Sequence, residues 1–173
     1  GRGDTVGVLM GKREELVVSL LAIARLGAVY IPLFTAFATP AIEMRLRAGN
    51  AKVVITETGQ ASKLDGIDGV QAIIAGDGFE ELVSSHDPIA ESVAVGGDGT
   101  LILLFTSGTT GAPKGVPVPV KALASFVAYM HFGLDVRDDD VTGTDVGVGD
   151  DDRDVHRAEG RLDGALGVDR AGE

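Results

Sequence analysis

The sequence predicts an α/β fold in which a mostly parallel sheet is flanked by helices. Along the first 132 residues, short apolar runs rich in β-branched side chains alternate with amphipathic segments of helical length. This alternation is typical of a doubly wound sheet, because parallel strands are joined by helical crossovers. Residues 137–173 contain no Phe, Tyr, Trp, Ile or Met. Such a composition buries too little apolar surface to offset ordering entropy, so a disordered C-terminal tail is expected.

The chain begins with a predicted strand and helix. Residues 5–10 are apolar and short enough for a buried strand, and residues 13–26 carry leucine and isoleucine at helical spacing. Gly27 is a suitable residue to follow the helix end. Val17, Val18 and Leu21 widen the apolar stripe, so the helix is expected to be buried on more than one side.

A second strand and helix follow. The strand starting at Val29 is expected to end at Pro32 or to lie at a sheet edge. Thr39 is predicted to cap the next helix, with Pro40 at its first helical position and Gly49 near its end. Two further strands are predicted over residues 52–56 and 70–74.

The later elements are less regular. Residues 80–85 are expected to form one or two helical turns, and residues 86–99 a polar connection to an apolar strand over residues 101–105. Two prolines exclude residues 116–119 from a central strand. A helix is predicted over residues 120–132 with one apolar face (Leu123, Phe126, Val127 and Met130). His131 is interpreted as a favourable partner of its C-terminal dipole.

The most informative stretch follows the strand that ends at Phe105. It reads Thr-Ser-Gly-Thr-Thr-Gly-Ala-Pro-Lys-Gly over residues 106–115. Glycines let the backbone approach a ligand, successive N–H groups form an anion site, and a lysine adds positive charge. This chemistry suits a nucleotide triphosphate. A Walker A loop is excluded, because Lys114 is followed by Gly115 and Gly111 does not directly precede the lysine.

These ten residues resemble the phosphate-loop signature of the AMP-forming adenylating enzymes, which include acyl-CoA synthetases, luciferases and peptide-synthetase adenylation domains. Residues 25–33 are similar to the helix-to-strand passage of the same family. Residues 117–120, Pro-Val-Pro-Val, look more like the acetyl- and acyl-CoA synthetase branch than like members with a Thr-His pair. The resemblance runs from about Gly3 to about Asp140.

The resemblance implies a function and a set of site residues. In the family, ATP and a carboxylic acid give an acyl-adenylate and pyrophosphate, and coenzyme A then takes the acyl group. Mg²⁺ shares the phosphate charge. The residues implied to bind the β- and γ-phosphates are Thr106, Ser107, Gly108, Thr109, Thr110, Gly111 and Lys114.

Other essentials of the family have no counterpart here, namely the adenine and magnesium motif, the ribose-binding aspartate, the hinge and the catalytic lysine. The expectation is therefore a partial AMP-binding N-terminal domain over residues 1–136, without catalytic residues and with little or no ligase activity. For the tail over residues 137–173, a frameshift near Val141 is our hypothesis, since the change in composition coincides with the end of the resemblance. Two alternatives stay open: an enzyme that adenylates an amino acid or aryl acid, and a non-catalytic remnant that binds nucleotides.

Composition narrows the remaining function classes. The chain of 173 residues has no cysteine, which excludes disulfides and fits a cytoplasmic protein. Its net charge of −11 lies mostly in residues 137–173, and no basic stripe suggests nucleic-acid binding. No apolar run is long enough to span a membrane, and no secretion leader is recognised. Three scattered histidines disfavour a zinc site, and the two Asp triplets (residues 138–140 and 150–152) do not fit a calcium loop.

Overall fold

The computed structural model describes residues 1–106 and 113–137. The chain divides into two compact units, residues 1–120 and residues 121–173, and only residues 121–137 of the second are described. Residues 107–112 of the predicted loop and residues 138–173 of the predicted tail lie outside the described residues. The predicted domain boundary at residue 136 stays a prediction.

The described residues of the first unit form six strands and three α-helices. The strands are β1 (Thr5–Leu9), β2 (Val29–Leu33), β3 (Val53–Glu57), β4 (Gln71–Ala75), β5 (Thr100–Thr106) and β6 (Lys114–Pro119). The helices are α1 (Glu14–Arg25), α2 (Thr39–Ala48) and α3 (Phe79–Ser84). A 3₁₀ segment over Thr58–Leu64, which the sequence analysis did not predict, joins β3 to β4.

The six strands form one sheet in the order β4-β3-β1-β2-β5-β6. Neighbours pair in parallel except for β5 and β6, which form an antiparallel hairpin. The prediction of a mostly parallel sheet flanked by helices is therefore confirmed. The two prolines were predicted to exclude residues 116–119 from the centre of the sheet. These residues lie in β6, which is an edge strand, as that prediction requires.

Two apolar cores lie on opposite faces of the sheet, because successive side chains of a strand alternate between its faces. On one face, Ile42 and Leu46 of α2 pack with Leu9 and Ile31. On the other face, Ile23 of α1 packs with Val8. Strands β1 and β2 are thus covered by helices on both faces.

The prediction for Pro32 was wrong: β2 continues to Leu33 and lies between β1 and β5. Val29 donates to the Asp4 carbonyl on the β1 side, and alternate residues of a parallel strand bond to opposite neighbours. The missing N–H of Pro32 therefore faces β5. The described ladder on that side contains one residue pair, Tyr30 with Ile102, so little pairing is lost.

Two expectations for the helices were also wrong. Val17, Val18 and Leu21 are each more than half exposed, so α1 buries one face only. Ala38, rather than Thr39, precedes the first turn of α2, and no side chain caps that turn. By contrast, Gly27 follows α1 with a φ of +65°, as predicted for a residue after a helix end.

The described part of the second unit is helical. Helix α4 (Ala122–Ala128) continues into a π-helical turn over Tyr129–Gly133. The residues predicted to share an apolar face (Leu123, Phe126, Val127 and Met130) are exposed in this unit. His131 lies in the final turn, as expected, with its ring edge-on to Phe132.

Candidate functional site

The candidate site lies where β5 ends. Strands β1 to β5 run in the same direction, so their carboxyl ends meet at one edge of the sheet, where ligands of α/β proteins commonly bind. Thr106 is the last residue of β5 and pairs with Lys114, the first residue of β6. The phosphate-loop sequence is therefore the connection of a β-hairpin at this edge.

Thr106 and Lys114 close that connection. As directly opposed residues of an antiparallel pair, they place their side chains on the same face, with Cβ atoms about 4.5–5.5 Å apart. Both are exposed. The structure thus brings together the first and last of the predicted site residues, a hydroxyl and an ammonium, at the mouth of the loop. The others (Ser107, Gly108, Thr109, Thr110 and Gly111) lie outside the described residues.

Gly115 completes the hairpin for a packing reason. A Cβ at this position would lie 3.1 Å from Cδ1 of Leu103 and 3.4 Å from Cε1 of Phe105. Both side chains pack against the core on the α2 side of the sheet. Because Gly115 has no side chain, Leu103 and Phe105 of β5 can lie close to the backbone of β6. This contact helps to position the strand that carries Lys114.

The β2–α2 connection lies beside the hairpin, because β2 is the neighbour of β5. The Phe37 N–H donates to the Phe34 carbonyl, and Lys63 Nζ donates to the Thr35 carbonyl. The Arg45 guanidinium stacks over the Phe37 ring at 4.1 Å from its centroid. The connection is thus fixed by two cations, while Phe34 remains 63% exposed.

This connection was not predicted from the sequence. Its signal in the sequence is a pair of phenylalanines, Phe34 and Phe37, in the short passage between a strand and a helix that directly follows residues 25–33. An exposed aromatic ring on a fixed loop can contact an apolar part of a ligand.

A second polar cluster lies at the carboxyl ends of β1 and β3. Arg13 donates to both carboxylate oxygens of Glu15, at 2.6 and 2.9 Å, and its guanidinium lies 3.6 Å from Glu57. The hydrogen bond from Arg13 holds the pKa of the Glu15 carboxyl below its usual value. Two carboxylates flank one guanidinium, so the cluster carries an excess negative charge and Arg13 is paired rather than offered to an anionic ligand.

The described residues also bear on metal binding and on membrane spanning. Within residues 1–106 and 113–137, no group of three or more His, Asp or Glu side chains is placed to hold a metal ion. Over the same ranges, none of the helices is both long and apolar enough to cross a membrane.

Comparisons with known proteins agree with the motif. A family model described as "AMP-binding enzyme" matches residues 1–147. The chain is 33% identical over 150 residues to 4-coumarate–CoA ligase 5 of Oryza sativa subsp. japonica, covering 80% of this chain and 28% of the relative. It is also 33% identical over 143 residues to the long-chain-fatty-acid–CoA ligase FadD13 of Mycobacterium tuberculosis, covering 79% of this chain and 28% of the relative.

Solved structures show the same likeness. The crystal structure of an acyl-CoA synthetase from Brucella canis superposes with a TM-score of 0.71 at 38% identity, over 82% of this chain and 28% of that one. The chain therefore spans little more than a quarter of the length of these proteins.

Proposed function

The chain belongs to the AMP-binding enzyme family, and from this premise we propose that its β5–β6 loop holds the β- and γ-phosphates of ATP in a carboxylic acid–CoA ligase. The full reaction would form an acyl-adenylate and pyrophosphate, then an acyl-CoA thioester. The relatives named above are CoA ligases, which supports this reaction over other nucleotide chemistry.

The observation that carries the proposal is the Thr106–Lys114 pair. It puts one hydroxyl and one ammonium on the same face at the carboxyl edge of the sheet, on either side of seven connecting residues. A connection rich in glycine and hydroxyl groups at that edge suits phosphate oxygens, since N–H and O–H donors stabilise anionic charge.

The residues of the loop would act as a group. Backbone N–H groups of Gly108 and Gly111 and the hydroxyls of Ser107, Thr109 and Thr110 would donate to the phosphates. Lys114 would offset their negative charge. Because this charge shifts toward pyrophosphate during adenylation, donors that follow the departing group would favour the reaction. Mg²⁺ would enter with ATP, since it commonly binds through phosphate oxygens and water.

The carboxylic acid stays open within this proposal. The two curated relatives are named for 4-coumarate and for long-chain fatty acids, which differ in shape and flexibility. Activation of an amino acid or aryl acid therefore remains the alternative.

The absence of cysteine, which fits a reducing compartment, supports a cytoplasmic location.

We further propose that this chain by itself forms little or no acyl-CoA. It covers 28% of the length of each curated relative named above, and the sequence contains no counterpart of the family's distal catalytic lysine. Residues 1–136 would act as a partial AMP-binding domain. Acyl-CoA formation by the purified 173-residue chain, above that of a chain carrying Lys114→Ala, would overturn this part of the proposal.

Pyrophosphate and ATP binding to the 173-residue chain test the loop directly. Titration calorimetry would compare the parent with Lys114→Ala, and with Lys52→Ala as control. Lys52 is an exposed lysine that directly precedes β3, so it lies at the amino ends of the parallel strands, away from the loop at their carboxyl ends. We expect Lys114→Ala to weaken binding by at least about tenfold, the equivalent of one charge-assisted hydrogen bond. No binding by the parent, or equal loss in both variants, would contradict the assignment.

A further inference from the structure

The two outer strands of the sheet differ in how their free edges are protected. At one side of the sheet lies β6, which carries Pro117 and Pro119 and so lacks two backbone donors. At the other side lies β4, whose sequence Gln-Ala-Ile-Ile-Ala has no proline and no charge. Natural edge strands usually carry such protection, because an unprotected edge pairs with other chains.

The backbone of β4 shows which groups are available. The Gln71 N–H donates to the Lys52 carbonyl on the β3 side at 2.7 Å. Since alternate residues of a parallel strand bond to opposite sides, the N–H and C=O groups of Ala72 and Ile74 point away from β3. In the described part of the chain, β3 is the one strand that pairs with β4. Both residues are exposed, Ile74 by 46%.

We propose that β4 is a self-association edge that pairs antiparallel with β4 of a second copy of this chain. A twofold axis at Ile73 sets Ala72 opposite Ile74 of the partner subunit, and Ile74 opposite Ala72 of the partner subunit. Each such pair exchanges two backbone hydrogen bonds, so four form across the axis. The described six-stranded sheets of the two copies then join into one continuous sheet.

A second copy fits this edge better than a charged peptide does. When a charged strand pairs with a copy of itself, like charges can lie opposite each other and destabilise the pair. Strand β4 has no charged residue, so it avoids this repulsion. A small alanine lies opposite a bulky isoleucine at each hydrogen-bonded pair, and β-branched isoleucine suits the strand conformation. The interface amounts to one strand pair, so the dimer is expected to depend on protein concentration.

The register provides a sharp test, because the chain has no cysteine. Ile73→Cys introduces one thiol per copy at the axis, in a non-hydrogen-bonded pair with Cα atoms about 4.5 Å apart. This spacing lies within the range for a disulfide. We expect mild oxidation of the full chain to give a covalent dimer. Ile89→Cys is the control, since Ile89 has the same 46% exposure as Ile74 but lies outside the strands.

Sedimentation velocity over a range of concentrations tests the association itself. Ala72→Pro removes one outward-facing backbone donor from each copy without breaking a hydrogen bond to β3. Ile74→Lys places a positive charge on the exposed strand of each copy, which disfavours pairing of the two strands. We expect both to shift the dimer to monomer, while Ile89→Lys leaves it unchanged; circular dichroism confirms folding. A parent that stays monomeric, a dimer that survives both β4 variants, or equal cross-linking at positions 73 and 89 would overturn the proposal.

Discussion

The two halves of the sheet are built differently. Strands β1, β2 and β3 supply the fully buried side chains Leu9, Ile31 and Val54, which helix α2 covers. In β5 and β6, by contrast, none of the described residues is buried. Leu103 and Phe105 pack against the core on the α2 side, while Leu104 and its cross-strand partner Val116 are at least 40% exposed on the other.

This difference predicts that stability and the proposed ligand binding depend on different halves of the sheet. The first half contains most of the buried apolar surface, which is the main favourable contribution to folding. The second half carries the proposed phosphate loop on a hairpin whose β5 side chains pack against the core on one face. Substitutions in the two halves should therefore change different measured quantities, the free energy of unfolding in one and ligand affinity in the other.

The largest effect is expected for Leu46→Ala. Leu46 of α2 is fully buried against Gly7 of β1, so its truncation should cost about 2–5 kcal/mol in the free energy of unfolding. Leu104→Ala is the matched change in β5, where the side chain is 40% exposed and a smaller loss follows. Urea denaturation of both variants checks the comparison. Equal losses would show that the hairpin contributes to the core as much as α2 does.

Two threonines at the ends of parallel strands sharpen the contrast. The Thr56 hydroxyl of β3 is buried and donates to the Leu9 carbonyl at 2.8 Å, whereas Thr106 of β5 is exposed beside the loop. Thr56→Val should lower the free energy of unfolding by about 0.5–1.5 kcal/mol, because it removes one buried hydrogen bond.

Thr106→Val keeps the β-branched shape and should leave unfolding unchanged within about 0.5 kcal/mol, because the site is exposed. Pyrophosphate affinity should fall by roughly tenfold if the hydroxyl donates to a phosphate. Denaturation and calorimetry on the same two proteins measure both quantities. Loss of affinity in Thr56→Val but not in Thr106→Val would reverse the assignment of roles.

The sequence predicted the regular part of the fold well, because apolar periodicity reports which side chains are buried. The strand and helix succession of the first 57 residues follows that pattern closely. Periodicity does not report how many neighbours an apolar stripe meets. For this reason Val17, Val18 and Leu21 were expected to be buried, although α1 has no neighbour on that face within the described part of its unit.

The hairpin could be predicted only in part for a related reason. The glycine- and hydroxyl-rich motif indicated a phosphate loop, and the two prolines indicated a strand away from the sheet centre. The pairing of Thr106 with Lys114 is a contact between strands, and the motif alone does not specify it. The same holds for Phe34, whose position beside the hairpin depends on β2 lying next to β5.

The smallest expected effect concerns the charges at the ends of β1 and β3. The hydrogen bond from Arg13 lowers the pKa of Glu15, so this pair stabilises the fold above the ordinary glutamate pKa of about 4.3. That stabilisation should disappear as the pH falls through the lowered value. Arg13→Ala should return the Glu15 pKa to its ordinary range, which an NMR titration of the carboxyl carbon would measure.

The control for this titration is Arg47→Ala, which removes the exposed Arg47–Glu43 pair of α2, distant in sequence from Glu15. Because both Arg13 and Glu15 are partly exposed, the effect on stability should be small and should weaken further in high salt. An unchanged Glu15 pKa in Arg13→Ala would mean that its backbone hydrogen bond, the next cause of the shift, is sufficient to hold the carboxylate charged. The polar strand ends of the first half would then owe their order to the backbone rather than to the ion pair.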